Sequence, residues 1–155
     1  MKNTIFAFIL TFFLIGCSHD NGFAQFELTP IQQKWENNQV FVAVRHNDKI
    51  AGTITAVYLN KVMPEFYKNG EYFFISFYQK DRSVKLDLYL NGHSSLLFQK
   101  IEKVDAPYGK LIADTPQWSQ LYIVGFAKIS KKDTLGLTIA NDGYTADKMV
   151  FKKRE

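Results

Sequence analysis

Chemistry in this chain would have to come from a small stock of side chains: three histidines, one cysteine and carboxylates spread along the sequence. His19, His46 and His93 each sit among polar residues that suit turns, far from one another in sequence. A metal site would need them to converge with carboxylates. His93-Ser94-Ser95 places a base beside hydroxyls, but neighbouring residues on a strand point to opposite faces and no oxyanion-hole motif accompanies them. Asp81, Asp87, Asp105 and Asp114 lack the spacing of an HExxH, a GxSxG or an Asp-rich loop. No glycine-rich loop precedes a helix to cradle phosphate. The expectation is a protein with no catalytic residue, no metal and no cofactor beyond a covalent lipid, and hence not an enzyme. A lone cysteine also excludes an internal disulfide and a thiolate zinc cluster.

That cysteine is placed where it has a different use. Lys2 is followed by an apolar run of about 11 residues, Ile5 to Ile15, broken only by Thr11, and then by Gly16 and Cys17. The run suits a signal peptide and falls short of the ~20 residues that a spanning helix needs. Leu14-Ile15-Gly16-Cys17 resembles the lipobox of bacterial lipoproteins. The resemblance covers the first 17 residues and implies diacylglycerol on the Cys17 sulfur, cleavage between Gly16 and Cys17, and often acylation of the new amine. The organisation it implies is a signal peptide over 1–16, a lipidated Cys and tether over 17–25, and one β-rich domain over 26–155. Ser18 rather than Asp after the cysteine favours the outer over the inner membrane of a cell envelope. Two other outcomes stay open: an ordinary secretory signal cut after Ala24, where Gly22-Phe23-Ala24 offers small residues at suitable offsets, and an uncleaved anchor.

The tether, Ser18 to Gln25, is polar apart from Phe23. Fully extended it reaches under about 30 Å, which keeps the domain near the bilayer. The residues after the signal carry 18 Lys+Arg against 15 Asp+Glu once Lys2 is lost. So mild a positive charge, with Lys152-Lys153-Arg154 as its only basic run, argues against nucleic acid as a partner. That run suits a solvated tail, or contact with anionic lipid headgroups.

The elements follow from the spacing of apolar residues. Thr29-Pro30-Ile31-Gln32 has the capping residue, N1 proline and third-position glutamine of a helix start, and Asn37-Asn38 closes two turns later. Ile31 and Trp35, four apart, are expected to face the core together. From there the period is two. Val40, Val42 and Val44 alternate with Phe41, Ala43 and Arg45, and Ile50 to Leu59 forms the second arm of a hairpin across His46-Asn47-Asp48-Lys49. Asn60 to Gly70 is a connection with one helical turn at Pro64-Glu65-Phe66-Tyr67. Tyr72 to Tyr78 is a central strand with aromatic residues on both faces.

Val84, Leu86, Leu88 and Leu90 alternate with polar residues and run into Asn91-Gly92, a type I′ hairpin signal whose partner strand spans about Ser94 to Val104. Leu111-Ile112-Ala113 is a short apolar piece, followed by a loop through Pro116 and Trp118. Leu121 to Ala127, Leu135 to Ala140 and Lys148 to Lys152 complete about eight short strands. Such a series favours an all-β, antiparallel sandwich with one short N-terminal helix, the alternative being a lipocalin-like barrel.

Leu86 to Phe151, with its Leu-Asn-Gly turn, Trp118 before an aliphatic strand and the final Phe-Lys-Lys, looks like small β-sandwich lipoproteins of Gram-negative bacteria. That likeness implies no activity. Gln33-Lys34-Trp35 and the same ending are similar to lipocalin-like domains, although Gln33 stands where that family has glycine.

The functional expectation is a membrane-anchored, non-enzymatic envelope lipoprotein that binds another envelope protein or polymer. The alternative is a lipocalin-like carrier of an apolar ligand. The candidate ligand-facing residues are Tyr72, Phe74, Tyr78, Trp118 and Tyr122, with Tyr58 and Tyr89 as neighbours, because tyrosine and tryptophan combine apolar bodies with polar tips. Filling a layer about 10 Å thick between two sheets would use the same residues.

Overall fold

A computed structural model describes residues 28–81, 85–102, 108, 118–141 and 143–153. Cys17, Gly16 and the whole signal and tether lie outside the described residues, as does Leu111-Ile112-Ala113.

The first element is α1 (Pro30–Asn37). Its start is the expected capping box. Thr29 Oγ1 accepts from the Gln32 N–H at 3.4 Å, and Gln32 Oε1 accepts from the Thr29 N–H at 2.8 Å, so two donors at the helix end are satisfied. Only Trp35 of this helix is buried. Ile31 departs from expectation, since it is 38% exposed and does not join Trp35 in the core. Two turns give the helix a single anchoring point, and Trp35 takes it.

Three strands follow as a meander: β1 (Gln39–His46), β2 (Lys49–Tyr58) and β3 (Glu71–Gln79). β1 and β2 pair antiparallel from Gln39 opposite Val57 to His46 opposite Lys49, with a bulge at Ala51 that offsets Arg45 onto Ile50. Asn47 and Asp48 turn the chain at φ 50° and 63°, positions where Asn and Asp are tolerated better than most side chains. The helical turn in the next connection is α2 (Leu59–Val62), five residues earlier than expected, with Pro64 in the loop after it. Leu59 and Val62 are buried, so apolar anchoring sets its place rather than the proline.

The remaining strands are β4 (Leu88–Leu90), β5 (His93–Ser94), β6 (Leu97–Ile101), β7 (Gln120–Phe126), β8 (Thr134–Ile139), β9 (Tyr144–Ala146) and β10 (Met149–Lys152). Asn91 and Gly92 make the expected turn at φ 50° and 86°. Its arms are shorter than the alternation implies. Lys85–Asp87 lies outside the strand although Leu86 is buried, and the second arm ends at Ser94 before the chain crosses to the other sheet as β6. β9 is an additional strand that pairs with β1.

The product is an antiparallel β-sandwich. One sheet has six strands in the order β6-β7-β3-β2-β1-β9, and the other has four in the order β10-β8-β4-β5. The two remain separate sheets, so the barrel alternative is not met. The space between them is filled by Ile54, Phe73, Ile75, Leu88, Leu90, Val124, Leu135, Leu137, Met149 and Phe151. A smaller apolar cluster lies on the outer side of the six-stranded sheet, where α1 and α2 bring Trp35, Leu59, Val62 and Met63 onto Val57, Phe74 and Ile123.

Candidate functional site

Register across the six-stranded sheet decides which aromatic residues share a side, because directly opposed residues face the same way. Val57, Phe74 and Ile123 oppose one another, as do Tyr72 and Gly125, and these residues face outward. Tyr122 opposes Ile75, an inner-core residue, so it faces the other sheet and packs on Phe98 with ring centroids 4.9 Å apart. Tyr58 faces the same interior, and Tyr89 belongs to the four-stranded sheet.

The predicted aromatic set is therefore split. Phe74 is buried beneath Trp35, centroids 4.9 Å apart. Tyr72 lies across Gly125, where an added Cβ would come 2.9 Å from its Cε1, and stacks on Tyr67 at 5.0 Å. Phe74 belongs to the small outer cluster and Tyr72 packs against it. Trp118 is 59% exposed, two residues before β7. Of the five, Tyr78 alone stands in the open on the face of the sheet.

What surrounds Tyr78 was not singled out by the sequence. Outward-facing Phe41, Thr55 and Ser76 form one row across β1, β2 and β3, and Ala43, Thr53 and Tyr78 form the next. Phe41 is 65% exposed and Tyr78 38%. The four residues between them are partly exposed. Four hydroxyl-bearing or small side chains, Ala43, Thr53, Thr55 and Ser76, thus separate two aromatic rings on the sheet surface. Two strand spacings and two residues along the strand put the Phe41 and Tyr78 Cα atoms about 12 Å apart.

At the β1–β2 turn lies a cleft of about 550 Å³, lined by His46, Lys49, Lys80, Asp81, Gln79 and Tyr144 among others; Tyr144 opposes His46 and packs on the inner core, so these two face inward, on the other side of the sheet from Tyr78. The histidine here is held in place. Its Nδ1 lies 2.8 Å from the Gly143 carbonyl, and because a carbonyl can only accept, Nδ1 carries the hydrogen and Nε2 is left for another partner. The Tyr144 ring stacks beside it at 4.6 Å. Gly143 is needed at that point on two counts: its φ is +77°, and a Cβ would come 3.1 Å from His46 Cε1. His46 was expected as a polar turn residue and instead closes β1 beside the turn, opposite Lys49 and Tyr144; its fixed orientation depends on a chain segment almost a hundred residues away, which no local pattern reveals.

A second polar cluster was also missed. Glu71 is 1% exposed at the start of β3. Its Oε2 accepts from the Tyr58 hydroxyl at 2.5 Å, and its Oε1 accepts from Lys153 Nζ at 2.6 Å and the Ile129 N–H at 3.0 Å. Lys153 also donates to the Ile129 carbonyl. Burial, then the bond to Glu71 and its charge, hold the Tyr58 phenol well above its ordinary value. Every group here is satisfied within the protein, so the cluster ties three distant segments together rather than offering a site. It also corrects the solvated-tail reading of Lys152-Lys153-Arg154, since Lys153 closes a buried ion pair. The parity of β3 is the signal that could have found it: Glu71 falls on the same side as Phe73, Ile75 and Phe77.

Among the described residues, no group of three or more His, Cys, Asp or Glu is placed to hold a metal ion, and no helix is long and apolar enough to cross a membrane. His46 and His93 belong to different sheets. No protein-family model matches the chain, and no curated protein or solved structure matches it either.

Proposed function

We propose that the protein is a bacterial envelope lipoprotein, anchored through lipid on Cys17, that acts by binding another envelope component rather than by catalysis. The observation that carries this reading is Leu14-Ile15-Gly16-Cys17, directly after a basic residue and an apolar run of signal-peptide length. The position of α1 supports it, because the helix begins at Pro30, 13 residues after Cys17. A sandwich so tethered works within a few tens of ångströms of the membrane surface. Ser18 rather than Asp after the cysteine favours the outer over the inner membrane.

The binding part of the proposal is supported by the Phe41–Tyr78 surface. An exposed aromatic pair on a regular sheet face is a recognition feature, because the fold's own cores lie elsewhere. Nothing in the two separate, filled sheets favours the alternative of a carrier with an internal apolar cavity. A lysozyme-type inhibitor is disfavoured by charge, since this domain and such enzymes are both basic.

The test is fractionation with metabolic labelling. The native protein is expected in the membrane pellet and labelled by palmitate, and Cys17→Ala is expected to lose the label and the lipid-dependent membrane association. Undiminished labelling of Cys17→Ala would end the proposal.

A further inference from the structure

We infer that the cleft at the β1–β2 turn binds a small organic anion, a carboxylate on a compact apolar body, and that His46 takes up a proton when it does. The inference goes beyond the envelope-binding reading. It depends neither on the anchor nor on the Phe41–Tyr78 face, which lies on the other side of the sheet. Three observations carry it.

The first is a break in the pattern of the inner side. His46 opposes both Lys49 and Tyr144, and Gln79 opposes Gly52, which in turn opposes Val44. Register therefore turns His46, Lys49, Tyr144 and Gln79 toward the side that elsewhere carries the apolar core. Glu71, the polar residue at the other end of β3, is closed off by partners from the protein itself. Gln79, 8% exposed, lines a cleft of about 550 Å³, within the range that takes a small ligand. Its Nε2 donates to the Asp81 carbonyl, which fixes the amide at the cleft wall.

The second is preorganisation. The Nδ1–H of His46 is committed to the Gly143 carbonyl and the ring to Tyr144, so Nε2 is the nitrogen left to meet a ligand. An anion beside Nε2 favours the imidazolium, in which both ring nitrogens donate. Nδ1 keeps its bond to the carbonyl, and Nε2, with a proton taken from solvent, gives a charge-assisted bond to the ligand. The ring accepts that proton without turning.

The third is charge beside an apolar wall. Lys49 and Lys80 line the cleft against the single carboxylate of Asp81, and among the described residues neither lysine is in an ion pair. The titratable groups around His46 are thus Lys49 from β2, Lys80 and Asp81 from the segment after β3, and Tyr144 from β9. Of these side-chain types only imidazole ordinarily changes charge at roughly pH 5–8, so the proton enters at His46. The Tyr144 ring and Ala51 give the cleft its apolar wall. A bare inorganic ion leaves that wall uncovered, and an organic carboxylate uses it.

The experiment is calorimetric titration of the full chain, in zwitterionic nanodiscs if it carries lipid and free in buffer if it does not. The probes are benzoate, benzamide as its neutral counterpart, and acetate and inorganic phosphate as anions that lack the apolar body. Benzoate is expected to bind at least about ten-fold more tightly than each of the others. Because binding takes up a proton, affinity should rise by about five-fold or more as the pH falls from about 8 to about 6. The uptake itself is read from the difference in heat between buffers of different ionisation enthalpy. His46→Gln should remove both the uptake and the pH dependence. Lys49→Gln should weaken benzoate about ten-fold, whereas Lys132→Gln, the same loss of charge at another exposed position, should leave it unchanged.

The inference is overturned by absence of binding, by benzamide matching benzoate, or by acetate or phosphate matching it, which would mark plain pairing with surface lysines. Proton uptake that persists in His46→Gln also overturns it. Circular dichroism of each variant separates loss of the site from loss of the fold. Protein that purifies without lipid is titrated in the same way, so failure here and failure of the anchor are separate results.

Discussion

The inner face of the six-stranded sheet is packed from Val42 to Phe126 against a second sheet, whereas among the described residues its outer face is covered around Phe74, where Trp35 and the Leu59–Val62 turn lie across it. The difference lies in what each strand can afford to expose. β3 alternates Phe73, Ile75 and Phe77 inward with Phe74, Ser76 and Tyr78 outward. Inward positions are apolar except at the two ends of the strand, where Glu71 is fully partnered and Gln79 is also buried. Outward positions pass from buried aromatic to half-open serine to exposed tyrosine along one strand. Among the described residues, packing is thus concentrated on one side and one end, and the opposite end of the outer face is open.

The contrast can be broken most strongly at its centre. Phe73 is fully buried and meets the rings of Tyr58, Phe126 and Phe151 at 5.3, 5.9 and 5.1 Å. Phe73→Ala is expected to cost about 4 kcal/mol by lost burial and an unfilled cavity, measured by urea unfolding. A cost below ~1 kcal/mol would mean the inner face is looser than described.

Glu71→Ala comes next. It strands the Lys153 ammonium, the Ile129 N–H and the Tyr58 hydroxyl. Removing one partner of a buried pair costs roughly 3 kcal/mol, and the partial exposure of Lys153, 19%, moves this case toward 2. Limited proteolysis should show the C-terminal strand loosening first.

Thr29→Ala sharpens the contrast on the outer side. It removes the cap of α1 and should cost about 1 kcal/mol. Because Trp35 is the helix's only buried residue, the readout is a change in tryptophan fluorescence with the inner core intact.

The smallest effect is alkaline. The Tyr58 phenol is raised above its ordinary 10.0, so below that pH it is protonated in both the folded and unfolded chains and its stabilisation is fully present. As pH rises past 10.0 the unfolded chain loses the proton while the folded chain keeps it, and stability falls. Tyr108 and Tyr122 are raised by burial in the same direction. Tyr58→Phe should flatten, without abolishing, the decline in melting temperature above that pH.

Legibility followed the range of the contacts. α1, the β1–β2 hairpin, β3 and the Asn91-Gly92 turn are local, each specified by capping residues, alternation or a positive-φ pair within a few positions, and all were foreseen. After Ser94 nearly every connection passes from one sheet to the other. A strand's length is then set by where its partner lies, which is why the arm after Gly92 stops at Ser94 and β9 emerges only through pairing with β1. The candidate site shows the same limit. Tyr78 is legible from its type and place on β3, but Phe41 reads only as one alternate member of a valine strand, and that Tyr122 faces the opposite side from Tyr78 follows from the register between β3 and β7, a long-range property. His46 and Lys49 were visible only as turn residues until β9 and Lys80 closed around them.

Thermal unfolding of the Phe41→Ser/Tyr78→Ser double variant tests the division between the two faces most directly. If the outer hairpin end is free surface, the pair should shift stability by no more than about 1 kcal/mol, the range of ordinary surface substitutions. A loss of several kcal/mol, comparable to Phe73→Ala, would show that these rings hold the fold together and would remove the surface on which the proposed recognition depends.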